Sequence, residues 1–294
     1  MPFSSADSLV LAFPGYAEPA QRLAQAAACP YAEISIHRFP DGESRVQLPP
    51  ALPAHVVIYC TLDHPNEKLV ELELAAATAL TLGASALTLV APYLAYMRQD
   101  IAFEPGQAIS QQVIGRWLAR RFEHVITVDP HLHRVHDLRE VIPGRQATAL
   151  SAAPVMSAWL QAHAPTAMLL GPDEESAQWV SAIAAPARLQ FGVASKQRFG
   201  DRDVAVRLPD MEFTDRHVVL VDDMVSTGHT IEAAASQLKT LSAADITVLV
   251  THALFVDDAE QRMHAAGVGR ICSTDSVLHP TNGIELAALL ATAL

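Results

Sequence analysis

Short apolar runs rich in β-branched residues alternate with helix-compatible runs over nearly the whole chain, and this alternation restricts the fold to parallel sheets flanked by helices. Ser8–Phe13, Glu33–Phe39, His55–Cys60, Leu87–Ala91 and His124–Val128 read as strands. Helical spacing runs between them over Tyr16–Ala28, Glu67–Leu82 and Gln107–Phe122. The scheme repeats as helix Ser151–His163, strand Ala167–Leu170, helix Glu175–Ala184 and strand Leu189–Ser195. Strand Val218–Val221, helix Ile231–Leu241 and strand Ile246–Val250 follow, and Gly283–Leu294 reads as a closing helix. The two halves look alike. Val56–Tyr59, its loop and the helix from Glu67 mirror Val218–Val221, its loop and the helix from Thr230. The expectation is one α/β domain duplicated, as residues 1–148 and 149–294; two unrelated βαβ units would also look similar at this level.

At 294 residues the chain is long enough for two such domains, each with its own core. A net charge of −12 argues against a nucleic-acid partner, which needs a basic face. Cys29, Cys60 and Cys272 are few, odd in number and far apart, which fits a reducing cytoplasm. No apolar run reaches the roughly 18 residues of a membrane span and no signal pattern opens the chain, so a cytoplasmic protein without a membrane partner is expected.

Function is most legible in Val218–Thr230. An apolar strand runs into Asp222 and Asp223, then into the hydroxyl-rich loop Ser226-Thr227-Gly228-His229-Thr230 at the start of a helix. Backbone N–H groups and the positive helix end suit a phosphate there, and Gly228 permits close approach. The two carboxylates suit sugar hydroxyls or hydrated Mg²⁺. The matching loop of the first half, Thr61–Asn66, lacks the paired Asp and the Gly, so a phosphate cradle is expected only in the second half.

Other segments offer chemistry at strand ends. Phe39-Pro40-Asp41-Gly42-Glu43 holds an Asp-Gly tight-turn signal, and also an aromatic ring and two acceptors suited to a purine. Arg98-Gln99-Asp100 offers a forked phosphate donor and two hydrogen-bonding partners. His131, His133 and His136 crowd one loop, and Asp173 opens a predicted helix with Glu174 and Glu175, where acidic residues also suit the dipole. Strand alternation puts Lys196 and Arg198 on one side.

These segments together resemble the ribose-phosphate diphosphokinase (PRPP synthetase) family, in family order over roughly residues 8–255. The 218–230 loop is also that of phosphoribosyltransferases, but those have no need of F-P-D-G-E, R-Q-D and a duplicated amino-terminal domain. Phe103–Ser110 looks like the archaeal-type branch. The resemblance implies two tandem phosphoribosyltransferase-type (Rossmann-like) domains, and transfer of the β,γ-diphosphoryl group of ATP to the 1-hydroxyl of D-ribose 5-phosphate. By the resemblance, Phe39, Asp41, Glu43, Arg98, Gln99 and Asp100 bind ATP, and Asp222, Asp223 and Ser226 to Thr230 bind ribose 5-phosphate. His131 and Asp173 hold Mg²⁺, Lys196 and Arg198 are catalytic, and Gln197–Pro209 is a mobile catalytic loop. His133 and His136 are not carried over, and Glu174 and Glu175 stand where many relatives have paired glycines. A regulatory homologue without catalysis would be expected to lose Lys196, Arg198 or His131; all three are present. The F-P-D-G-E segment implies a homo-oligomer, a dimer or multiple of dimers, with the ATP site shared between subunits. Carboxylates around two polyanions imply an absolute need for Mg²⁺.

Overall fold

A computed structural model describes residues 5–198 and 204–294. The chain divides into two compact units, one running up to Ser151 and including Leu286–Leu294, the other Ala152–Glu285. The first holds β1 (Ser8–Ala12), α1 (Ala17–Ala26), β2 (Tyr31–Glu33), β3 (Ser35–Arg38), β4 (Ser44–Gln47) and β5 (His55–Tyr59). It continues with α2 (Pro65–Thr81), β6 (Ala86–Val90), α3 (Ser110–Arg121), β7 (His124–Val128), α4 (Leu138–Val141) and β8 (Gln146–Leu150). The second holds α5 (Ala153–His163), β9 (Met168–Gly171), α6 (Ala177–Ala187), β10 (Phe191–Val193), β11 (Ser195–Arg198) and β12 (Val204–Arg207). After these come β13 (His217–Val225), α7 (His229–Thr240), β14 (Asp245–Ala253), α8 (Ala259–Ala265), β15 (Arg270–Thr274) and β16 (Asn282–Ile284). The closing helix α9 (Ala287–Ala291) packs on α1 of the first unit.

Each unit is built on a six-stranded sheet, ordered β2-β1-β5-β6-β7-β8 in the first and β10-β9-β13-β14-β15-β16 in the second. Every pairing within these sheets is parallel. Counted within its own sheet, each order is second, first, third, fourth, fifth, sixth. Each unit also inserts an antiparallel hairpin after its second strand, β3–β4 in one and β11–β12 in the other. The shared order, down to the hairpin, is what a duplicated domain would have.

Parallel strands are buried on both faces, which explains their unbroken apolar runs. Val218, Val219, Leu220 and Val221 of β13 are fully buried, between residues 168–170 of β9 and 246–249 of β14. Each such side chain contributes about 1.5–3 kcal/mol relative to exposure.

Several boundaries differ from expectation for physical reasons. The single strand expected at Glu33–Phe39 splits at the buried Ile34, whose N–H bonds the Ala12 carbonyl at 2.8 Å before the chain turns into the hairpin. The segment expected as a helix from Gly283 begins as strand, because β15 offers an open edge that β16 fills. Helix is confined to Ala287–Ala291, and these last residues join the first unit, not the 149–294 half. β13 and β14 run on together, so the strand expected to end at Val221 reaches Val225. The helix expected at Ile231 begins at His229, and the segment expected as a loop from Gln197 forms hairpin strands on both sides of residues 199–203.

Tight packing gives a direct test of the first unit. A β-carbon on Gly115 of α3 would lie 2.0 Å from the Val141 carbonyl oxygen of α4. Gly115→Ala is therefore expected to cost about 1–3 kcal/mol of overpacking, more than the roughly 1 kcal/mol that alanine gains inside a helix. Urea unfolding followed by circular dichroism checks this, and an unchanged midpoint would mean α4 yields freely.

Candidate active site

In the second unit the winding of the sheet reverses between β9 and β13, and such a reversal leaves a crevice at the carboxyl ends of the strands. The loop after β9 brings Asp173 to it, and the end of β13 brings Asp222 and Asp223. Gly171 ends β9 where a β-carbon would lie 2.3 Å from Ser176 Oγ, so the turn beneath Asp173 has no room for a side chain. Asp173 then caps the following turn by accepting from the Glu175 N–H at 3.1 Å.

Asp223 is buried, and Asp222 lies in the same β-ladder, opposite Val250. Asp222 accepts from the Asp223 N–H at 3.0 Å, and Asp223 from the Met224 N–H at 2.9 Å. Burial, then the neighbouring Asp223 and Asp173 charges, push the Asp222 carboxyl well above the usual carboxylate range. Three mutually repelling carboxylates with hard oxygen donors are the donor set that a small divalent cation takes.

Directly after this floor, Gly228 caps α7 with φ 73°, a left-handed conformation that glycine adopts without strain. No side chain caps the helix, so its first-turn N–H groups, including those of His229 and Thr230, remain for an anion. Ser226 is half-buried, and Thr227 and His229 are exposed.

The first unit carries the same reversal between β1 and β5, but its crevice is closed by an internal network. Lys68 Nζ donates to the Tyr16 hydroxyl at 2.6 Å, to the Thr61 carbonyl at 3.2 Å and to Asp63, and lies 4.9 Å from the Tyr16 ring centroid. Tyr16 also donates to Asp63 at 2.7 Å. Burial opposes the Asp63 charge, yet the Lys68 and Tyr16 hydrogen bonds hold its carboxyl below the usual range. A cavity of about 450 Å³ lies alongside, lined by Phe13, Tyr16, Arg38, Lys68 and Glu71 among others.

The turn of the β3–β4 hairpin presents Phe39, Asp41 and Glu43, all exposed. The strand ends next to this turn are clamped from both sides. Arg38 of β3 donates to Glu71 of α2 at 2.9 and 3.2 Å, and Ser44 of β4 donates to the same carboxylate at 2.8 Å. The Phe39 ring meets His37 edge-on at 4.8 Å.

After β6, Arg98 is exposed and Gln99 accepts from the Ser110 hydroxyl at 2.8 Å. Asp100 is buried and accepts from the Arg134 N–H at 3.2 Å and the Arg134 guanidinium at 2.7 Å. Its carboxylate is thus tied to the 130–136 loop. In that loop His131 and His133 share a 2.8 Å Nε2···Nε2 hydrogen bond, with their rings 4.3 Å apart.

The profile of the N-terminal domain of ribose phosphate pyrophosphokinase matches residues 9–120, and that of the phosphoribosyl transferase domain matches residues 154–281. Ribose-phosphate pyrophosphokinase from Methanopyrus kandleri is 32% identical over 278 residues, covering 93% of this chain and 94% of that protein. The chain belongs to the ribose-phosphate pyrophosphokinase family. Ribose-phosphate pyrophosphokinase 1 from Archaeoglobus fulgidus is 31% identical over 280 residues, covering 94% of this chain and 95% of that protein. The fold matches the crystal structure of phosphoribosylpyrophosphate synthetase from Mycobacterium smegmatis with a TM-score of 0.81 at 19% identity, covering 98% of this chain and 97% of that one.

For this pyrophosphokinase-family chain, the second unit therefore gathers Asp173, Asp222, Asp223 and the loop from Ser226 to Thr230 at one crevice. Phe39, Asp41, Glu43, Arg98, Gln99 and His131 all belong to the first unit. β11 carries Lys196 and Arg198, in register with Val206 and Val204; their side chains lie outside the described residues, as do residues 199–203 of the expected catalytic loop. Sequence reasoning set His133 aside, and only the folded loop brings it against His131. Among the described residues no helix is long and apolar enough to cross a membrane.

The raised Asp222 carboxyl has a consequence for stability. The folded protein keeps this proton after the unfolded chain has lost it, so the stability present at low pH is lost as pH rises through the folded value. Asp222→Asn is expected to raise the melting temperature of the ligand-free protein at pH 7–8, with the gain vanishing toward pH 4. Thermal scans across that range check it; a gain independent of pH would place its origin elsewhere.

Proposed function

We propose that this protein is a ribose-phosphate diphosphokinase, transferring the β,γ-diphosphoryl group of ATP to the 1-hydroxyl of D-ribose 5-phosphate to give 5-phosphoribosyl 1-diphosphate and AMP. The observation that carries this reading is the uncapped α7 amino terminus behind Gly228, set directly after the Asp222–Asp223 pair at the sheet reversal. An anion-binding helix end next to acidic acceptors for sugar hydroxyls is what a sugar phosphate requires of a site.

In this reading the loop from Ser226 to Thr230 takes the 5-phosphate, and Asp222 and Asp223 take the ribose side. Phe39 stacks on the purine, Asp41 and Glu43 accept from its amine, and Arg98 and Gln99 meet the phosphates of ATP. Asp100 contributes by holding Arg134 and its loop. The sugar's 1-oxygen attacks the β-phosphorus, the bond from that phosphorus to the α,β-bridging oxygen breaks, and AMP leaves. The little covalent chemistry required makes positioning and charge stabilisation the main contributions of the protein, and Lys196 with Arg198 is assigned to the charge on the moving group.

The carboxylates of Asp173, Asp222 and Asp223 fit Mg²⁺, with His131 a further partner on the nucleotide side. Mg²⁺ would neutralise the diphosphate and offset both the burial and the neighbouring Asp223 and Asp173 charges that raise Asp222. The exposed Phe39 on a hairpin clamped beside its turn supports a homo-oligomer in which this hairpin serves the ATP site of a neighbouring copy. Three free thiols support a cytoplasmic location.

³¹P NMR of the purified protein with ATP, ribose 5-phosphate and Mg²⁺ tests the reaction. AMP and a sugar-linked diphosphate should appear together, and EDTA should stop both; ADP with a sugar monophosphate would make the protein an ordinary kinase and end this reading. Lys196→Ala is expected to lower kcat by about a hundredfold or more while calorimetry finds ribose 5-phosphate binding unchanged. Loss of binding alone would contradict the role assigned to Lys196.

A further inference from the structure

The loop proposed to hold the phosphate is braced from behind by α8. Gly228 packs where a β-carbon would meet Met263 Sδ at 3.4 Å and Ala259 Cβ at 3.7 Å, and both residues are fully buried. Arg262 lies on the same face, three residues after Ala259 and next to Met263. Its guanidinium ties three elements together. Nη2 donates to the Thr227 carbonyl of the loop at 2.6 Å, Nε donates to Glu232 Oε2 of α7 at 3.3 Å, and Nη1 donates to Asp258.

The contact to Thr227 settles which way a peptide faces. The peptide from Thr227 to Gly228 is trans, so its carbonyl and N–H point in opposite directions. With the carbonyl drawn to α8, the Gly228 N–H is turned away from α8 and adds to the N–H groups of the uncapped first turn of α7. If the same peptide flipped, a carbonyl oxygen would face the anion in place of a donor. Glycine permits either orientation here, since it lacks the steric restriction that would fix the backbone. From outside the loop, Arg262 is the group that holds the Thr227 carbonyl in its present direction. Glu232 and Asp258 together outweigh its single charge, so its effect comes from the direction of its donors and not from long-range attraction.

We propose that Arg262 is a positioning residue for ribose 5-phosphate: by holding the Thr227 carbonyl it aims the Gly228 N–H at the 5-phosphate. The inference rests on the function proposed above and deepens it. It predicts that a planar fork is needed and that a lysine cannot replace it, because one ammonium cannot meet the Thr227 carbonyl, Glu232 and Asp258 in the same geometry.

The test is calorimetric binding of ribose 5-phosphate, and separately of ATP, to the full chain carrying Arg262→Lys or Arg262→Ala, with melting temperatures recorded alongside. Arg262→Lys is expected to weaken ribose 5-phosphate about tenfold, as loss of one charge-assisted hydrogen bond would, and to leave ATP affinity unchanged. Added guanidinium ion at millimolar concentration is expected to restore part of the affinity in Arg262→Ala; if that variant does not fold, Arg262→Lys carries the test. Wild-type affinity in Arg262→Lys would overturn the inference, because charge alone would then suffice. Parallel weakening of both ligands with a falling melting temperature would also overturn it, by reducing Arg262 to a general brace. Wild-type protein that binds no ribose 5-phosphate would overturn the proposed function together with the inference, whereas equal binding by wild type and variants would overturn the inference alone.

Discussion

The reversal of sheet winding between β9 and β13 is the constraint on which the candidate site depends. In an all-parallel sheet every strand delivers its carboxyl end to the same edge, and where the winding changes direction two loops part and leave a crevice. Asp173 arrives on one loop, Asp222 and Asp223 form the floor, and Gly228 opens α7 on the other. Apolar walls of β13 and β14 keep this floor poorly solvated, and with the neighbouring Asp223 and Asp173 charges this holds Asp222 toward its protonated form. Site and sheet cannot be separated, because the burial that stabilises the strands also strains the acids at their ends.

The first unit has the same geometry with a different outcome. Its reversal lies between β1 and β5, and the loop after β5 contributes Asp63, whose charge Lys68 and Tyr16 satisfy. One crevice gathers three acids ahead of an uncapped helix; the other closes on its own ion pair. Two copies of one topology have thus diverged through the few side chains at the switch point while the ladders beneath them kept the same order.

The hairpins show how exposed segments are held. A two-stranded hairpin is marginal alone, and β3–β4 relies on the buried Glu71, which Arg38 and Ser44 reach from opposite strands. Burial opposes the Glu71 charge, but the Arg38 and Ser44 hydrogen bonds overcome it and keep the carboxyl below its usual range. In the second unit β12 is held differently, through the buried Val206 and a hydrogen bond from the Gln237 side chain to the Val206 carbonyl.

Sequence alone determined the fold class, because strands buried on both faces must read as unbroken apolar runs such as Val218–Val221, and helices between them must carry an apolar stripe. It also singled out the loop proposed to hold a phosphate, since there Gly228 follows two acids and opens a helix. Tertiary structure decided what depends on partners distant in sequence. The extension of β13 to Val225 needed β14 beside it, and β16 needed the open edge of β15. Asp100 turned out to be committed to Arg134, His133 to lie against His131, and Arg262 to reach the Thr227 carbonyl from 35 residues away. Hydrogen bonds between distant segments leave no periodicity in the chain, because their direction is set only when packing brings the elements together.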